Sequence, residues 1–182
     1  MEILQFIPPS QRRLVSLAAN ADSAPVLIYG ASGTGKGSIA RWIHLNSKRS
    51  ALPFVTAHRN NPLSDQLPQA QEGTFFMPEI GSFPLSEQKI LFQLLESHSI
   101  PYPASPDGIL PLNIRIMTTT SQSLEGRAQG GLFNIKLLEK LNVFRLEMPP
   151  LAQRSDEFEE IALGILSEIT QELQLSHIQK IS

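Results

Sequence analysis

Cysteine is absent from the 182 residues, which removes disulfides and thiolate metal ligands from consideration. The four histidines, His44, His58, His98 and His177, show no close ligand spacing, so no zinc site is expected. Long hydrophobic runs are missing too, since no segment approaches the ~20 apolar residues of a membrane helix. Glu2 and the pair Pro8–Pro9 interrupt any apolar start. No signal peptide is expected on that ground, and a cytoplasmic protein is. Excess charge is also lacking: the formal net charge is -2, which argues against bulk attraction to nucleic acid or acidic membranes. The one basic cluster, Ser47-Lys48-Arg49-Ser50, reads as a solvated helix end. What remains is a globular composition, 41% hydrophobic and 18% charged, long enough for one α/β domain with a small appendage.

Along the chain, short apolar runs alternate with helical patterns. Residues 10–21 read as a helix capped by Ser10, with Leu14, Leu17, Ala18 and Ala21 on one face. Residues 24–30 form a continuous apolar run bounded by glycine, as a buried parallel strand does. A helix follows to about Asn46, with Ile39, Ala40, Ile43 and His44 along one side. Further strands are expected at 53–57, 73–77, 114–120 and 143–148. Helices are expected at 85–99, where Ile90, Leu91, Leu94 and Leu95 make the apolar face, and at 132–141. The proline-rich stretch 100–111, with Asp107-Gly108, reads as a loop or irregular hairpin. A last helix is marked by a capping box at Asp156 and Glu159. Its stripe of Phe158, Ile161, Ala162, Ile165, Ile169 and Leu173 is core-forming. Strands alternating with helices imply a parallel sheet of βαβ units. The proline pair at 149–150 marks a subdomain boundary, giving a core of 1–150 and an appendage of 151–182.

One motif carries chemistry. Gly30, Ala31, Ser32, Gly33, Thr34, Gly35, Lys36 and Gly37 satisfy G-x-x-x-x-G-K between an expected strand and an expected helix. The glycines let backbone N–H groups turn inward around phosphate oxygens, and Lys36 reaches the β- and γ-phosphates. The bound species would be ATP or ADP. The residue after the lysine is ordinarily serine or threonine, whose hydroxyl coordinates magnesium. Here it is Gly37, with Ser38 one place too late. Phosphate binding is therefore better supported than magnesium binding, which stays open.

The order of segments from residues 25–55, through 73–96 and 113–125, to 131–157 resembles the sigma-54 interaction domain, the AAA+ module of bacterial enhancer-binding regulators. That resemblance implies a P-loop NTPase of three αβα layers with a parallel sheet and a helical lid, of which 151–182 would be the truncated start. It further implies a domain that binds ATP, assembles into rings, hydrolyses ATP between subunits and remodels RNA polymerase carrying sigma-54.

Several positions depart from the family pattern. The acidic pair ending the third strand is Asp-Glu in the family, the aspartate holding magnesium and the glutamate orienting water; here Pro78 precedes Glu79. The asparagine that pairs with this glutamate falls at His58, and the sensor asparagine at Ser121. Two arginines that reach a neighbouring subunit's nucleotide fall at Asn134 and Lys140. Lysine keeps the charge but not the bidentate fork. The long insertion with a G-A-F-T-G-A loop that grips sigma-54 is replaced by residues 57–71, so no sigma-54 contact through that loop is expected. No helix-turn-helix is seen, and no direct DNA binding is expected.

Three readings follow. The first is a nucleotide-binding AAA+ module with little or no hydrolysis, contacting other AAA+ subunits or a transcription regulator, with Glu79 as a residual catalytic carboxylate. The second is an ATPase that uses Glu79 with Asp65 or Glu72. The third is a nucleotide-free interaction domain.

Overall fold

The computed structural model describes residues 7–154, together with residues 159, 161–163, 166 and 170. Five parallel strands make the central sheet: β1 (Val26–Gly30), β2 (Phe54–Thr56), β3 (Thr74–Met77), β6 (Arg115–Thr120) and β7 (Phe144–Met148). They lie in the order β2-β3-β6-β1-β7. A separate antiparallel pair, β4 (Ser99–Pro101) and β5 (Ile109–Pro111), closes the proline-rich stretch as a hairpin. Gly108 takes φ +69° there, a conformation few side chains tolerate.

Side-chain alternation divides the apolar residues of the sheet between two cores. Val26, Ile28, Phe76, Met117 and Leu146 face α1 (Pro9–Asn20) and α2 (Lys36–Leu45). Leu27, Phe75, Met77 and Ile116 face the opposite core. That core is completed by α3 (Leu63–Gln66), α4 (Leu85–Ser97), α5 (Leu124–Gln129) and α6 (Ile135–Leu141). The result is the expected three-layer αβα arrangement. All six residues of β6 are buried, as suits a strand covered on both faces.

Several local expectations are corrected. Ser10 does not cap α1; the helix starts at Pro9, where a missing N–H costs nothing, and its buried face is Val15, Ala18 and Ala19 while Leu17 points outward. α6 begins at Ile135 rather than 132, because the Asn134 side chain caps it by accepting from the N–H groups of Lys136 and Leu137. α5 had no expectation at all. It is capped by Ser123, whose hydroxyl accepts from Gly126 N. Its one buried residue is Leu124.

The basic cluster at 47–50 is not a solvated helix end. Arg49 is buried, and its guanidinium donates to the backbone oxygens of Asp22, Glu72, Gly73 and Asn113 and to Asn113 Oδ1. It also pairs with the Asp22 carboxylate at 3.3 Å. Beside it, fully buried Arg115 donates to the carbonyls of Ala18 and Ala24. Burial first, and then the Arg49 charge, lower the Arg115 pKa to about 10, with Asp22 acting the other way. These two arginines fasten the amino ends of β3 and β6 to the α1–β1 connection.

Of the predicted last helix, Glu159, Ile161, Ala162 and Leu163 are helical, Ile161 is buried and Ala162 half-buried. Asp156, Phe158, Ile165, Ile169 and Leu173 lie outside the described residues.

Candidate functional site

The site sits where the carboxyl ends of β1, β3 and β6 converge, the usual position for ligands of open α/β sheets. β1 ends at Gly30 and turns at once into the loop Ala31–Gly35. Gly33 and Gly35 adopt φ +82° and +78°. Nothing lies within 4 Å of a Cβ built on either, so backbone conformation rather than space calls for glycine. Gly30 is different, because a Cβ there would meet Met148 O at 2.5 Å. The Thr34 hydroxyl donates to Ala31 O at 2.9 Å and braces the turn. α2 then begins at Lys36, so its positive end faces the loop.

Lys36 is held under the loop rather than extended into water. Its Nζ donates to Gly30 O at 2.7 Å and to Ala31 O at 2.8 Å, with only 7% of the side chain exposed. Glu79 Oε1 lies 3.5 Å from the same nitrogen. The remaining loop residues, Ala31, Ser32, Gly33, Gly35 and Gly37, are exposed, while Thr34 is half-buried. The eight positions expected from the motif are thus brought together in one turn, and Glu79 is brought to it.

Glu79 is itself anchored. It takes φ +51°, an uncommon value for a residue with a side chain. Its N–H donates to Thr119 Oγ1 at 3.1 Å. Its Oε2 accepts from both Ser121 N and Ser121 Oγ at 2.8 Å. Burial works to raise its pKa, but the two Ser121 bonds and the Lys36 ammonium outweigh that and hold it below the ordinary carboxylate value. Glu79 is therefore an anion at neutral pH. Thr119 and Ser121 were not read from sequence as its holders. The run of three threonines ending β6, all buried, was the available signal.

The other residues assigned by position are placed elsewhere. Asn134 caps α6 and donates its N–H to Gln88 Oε1 at 2.8 Å. Lys140 pairs with Glu96 at 2.8 Å. His58 is held through its own N–H and C=O by the Gln66 side chain. Glu72 precedes β3, at the opposite end of the sheet from the loop, and accepts from Asn113 Nδ2. Asp65 lies on α3, where its carboxylate accepts from Ser64 Oγ at 3.1 Å. Glu72 therefore does not join the site, and the bonds of Asp65 do not lead to it.

The donor set suits phosphate and lacks two groups that ordinarily help to hold magnesium. The backbone amides of a glycine turn, a buried lysine and a helix amino end are complementary to phosphate oxygens. Gly37 offers no hydroxyl and Pro78 no carboxylate. Among the described residues no cluster of three or more His, Asp or Glu could hold a metal ion. No helix among them is long and apolar enough to cross a membrane.

A parallel sheet in this order, with a glycine loop and buried lysine between β1 and α2, defines a P-loop NTPase fold. Within that class, the family model described as "Sigma-54 interaction domain" matches residues 7–151, and the chain belongs to this family. The DNA-binding transcriptional regulator NtrC of Salmonella typhimurium is 31% identical over 174 residues, 83% of this chain and 37% of that protein. The crystal structure of NtrX from Brucella abortus in complex with ATP superposes with a TM-score of 0.82 at 24% identity, covering 95% of this chain and 42% of NtrX. The P-loop NTPase domain of an Escherichia coli sigma-54 activator superposes with a TM-score of 0.59 at 23% identity, covering 78% of this chain and 94% of that domain. The chain thus spans well under half the length of the full regulators it matches.

Proposed function

We propose that this chain is a nucleotide-binding module of the sigma-54 activator type that binds ATP or ADP through Gly30–Gly37 with little or no hydrolysis. It would act as a regulatory or interaction module in transcription control, contacting other AAA+ subunits or a transcription regulator. Residues 1–150 are read as the nucleotide-binding core and 151–182 as the start of a helical lid. One contrast carries the proposal: the phosphate cradle is intact, whereas the positions that would run the chemistry are occupied by residues with other work. Pro78 supplies no metal ligand, Ser121 is spent on Glu79, Asn134 on a helix cap, and Lys140 on Glu96. Phosphoryl transfer rests almost wholly on positioning and charge stabilisation, and an arginine finger alone is worth about 10³–10⁵ in rate.

The connection between β2 and β3 supports the absence of the usual sigma-54 contact. Leu63, Leu67 and Ala70 from it are fully buried, and Gln66 ties it to His58 and Asn61. A segment so committed to the core is not a projecting loop. Purified chain is accordingly expected not to retain sigma-54 in the presence of an ATP transition-state analogue, and retention would overturn that part.

Titration calorimetry combined with steady-state phosphate release tests the rest. Wild type is expected to bind nucleotide, and Lys36→Ala to weaken it by at least about tenfold through loss of the loop's cation. Turnover on the order of 1 s⁻¹ would instead make it an ordinary ATPase. Neither binding nor turnover would leave an interaction domain.

A further inference from the structure

An ammonium has three N–H groups to give. Lys36 gives two of them to the carbonyls of Gly30 and Ala31, and its remaining side faces Glu79 Oε1 at 3.5 Å. A P-loop lysine serves the β- and γ-phosphates of its ligand. A diphosphate would be met by the loop amides and the helix amino end, with Lys36 free to exchange a carbonyl for the β-phosphate. By the same rule a triphosphate would also bring its terminal phosphoryl group to Lys36, beside which Glu79 already lies.

Glu79 is poorly placed to withdraw. Two bonds from Ser121 fix its Oε2 and one to Thr119 fixes its N–H. Ser82 N and Oγ hold its carbonyl at 2.9 and 2.6 Å. Two anions forced together in a partly desolvated site repel strongly unless a cation lies between them. Two groups that would help bring one are missing, since Gly37 offers no side-chain oxygen and Pro78 stands where the family has its metal-holding aspartate. Space does not impose Gly37: a Cβ there would meet Phe76 at an ordinary 3.9 Å.

We infer that the loop is selective for a nucleoside diphosphate bound without magnesium, and that Glu79 is the residue that turns the triphosphate away. This rests on the phosphate-binding reading above. Glu79 thereby serves as a built-in anion on the lysine, exchanging a catalytic position for a selective one.

The test is calorimetric titration of the full chain with ADP and with ATP, each in EDTA and in magnesium, for wild type and Glu79→Gln. In EDTA, ADP is expected to bind at least about tenfold tighter than ATP, and magnesium to change ADP affinity by less than about threefold. Glu79→Gln should narrow the ADP–ATP gap to about threefold or less by tightening ATP. A thermal melt reports whether the variant is folded. If it is not, Glu79→Asp, which draws the carboxylate back by one methylene, is expected to narrow the gap part of the way. Equal wild-type affinities, ADP binding that requires magnesium, or a gap unchanged in the folded variant would each overturn the selectivity. A wild type that binds neither nucleotide removes the phosphate-binding reading itself as well.

Discussion

Lys36, Arg49, Arg115 and His44 are all buried, yet each answers burial in its own way. The first three donate to backbone carbonyls, the pairing a buried cation requires. His44 does not. Its Nδ1 lies 3.0 Å from Thr74 Oγ1, its ring packs on Phe54 with centroids 5.1 Å apart, and Arg41 and Arg115 are close enough to disfavour a second proton. Burial first, then these two charges, lower its pKa against the opposing Leu52 backbone bond. In the pH range just below the ordinary histidine value, the unfolded chain therefore binds more protons at His44 than the folded one, so stability rises with pH there. We expect thermal stability to be full above about pH 6.5 and to fall as pH drops below it towards the lowered folded value. His44→Gln should flatten that part of the profile, and an unchanged slope in melts across the same window would contradict the assignment.

At the scale of elements, the α4–α6 junction depends on one buried amide. Gln88 Nε2 donates to Phe83 O at 2.8 Å and to Leu132 O at 3.3 Å, while its Oε1 accepts from Asn134 N. Gln88→Leu keeps the volume but strands those groups, and a cost of about 2 kcal/mol in urea unfolding is expected, with a loss below about 0.5 kcal/mol counting against it. This junction shows where sequence reading stops. The five strands were legible because each is a short β-branched or apolar run, and the loop was legible because its glycines and lysine have fixed spacing. The face of α2 was legible from periodicity alone, since Ile39, Ala40, Ile43 and His44 are all buried. Gln88 and Arg49 were not. Both read as surface residues by type, and what buries them is a set of carbonyls as many as 44 and 64 positions away. α5 escaped because a six-residue helix with one buried side chain leaves no periodic trace. Within the candidate site the loop was legible, while the hold of Thr119 and Ser121 on Glu79 depends on β3 and β6 lying side by side.

For the molecule as a whole, the sheet is fastened at one end and open at the other. Arg49 joins Asp22, Glu72, Gly73 and Asn113, residues from three separate connections. Arg49→Lys retains the charge but cannot reproduce the fork, and should cost about 2–3 kcal/mol. Nucleotide affinity should stay within about twofold, because the substitution lies at the far end of the strands from the loop. Chemical denaturation and titration on the same variant check both halves of that expectation. A consequence for time follows from the same fastening. The Thr74 amide bonded to Pro53 O and the Arg115 amide bonded to Gly73 O lie at the fastened end. They should exchange their hydrogens with solvent only when the whole domain opens, whereas those of Ala31–Gly35 should exchange through small local openings. A ligand in the loop would then slow the fast amides selectively while the slowest keep pace with global unfolding. One molecule would carry two clocks, and only one of them would be reset by binding.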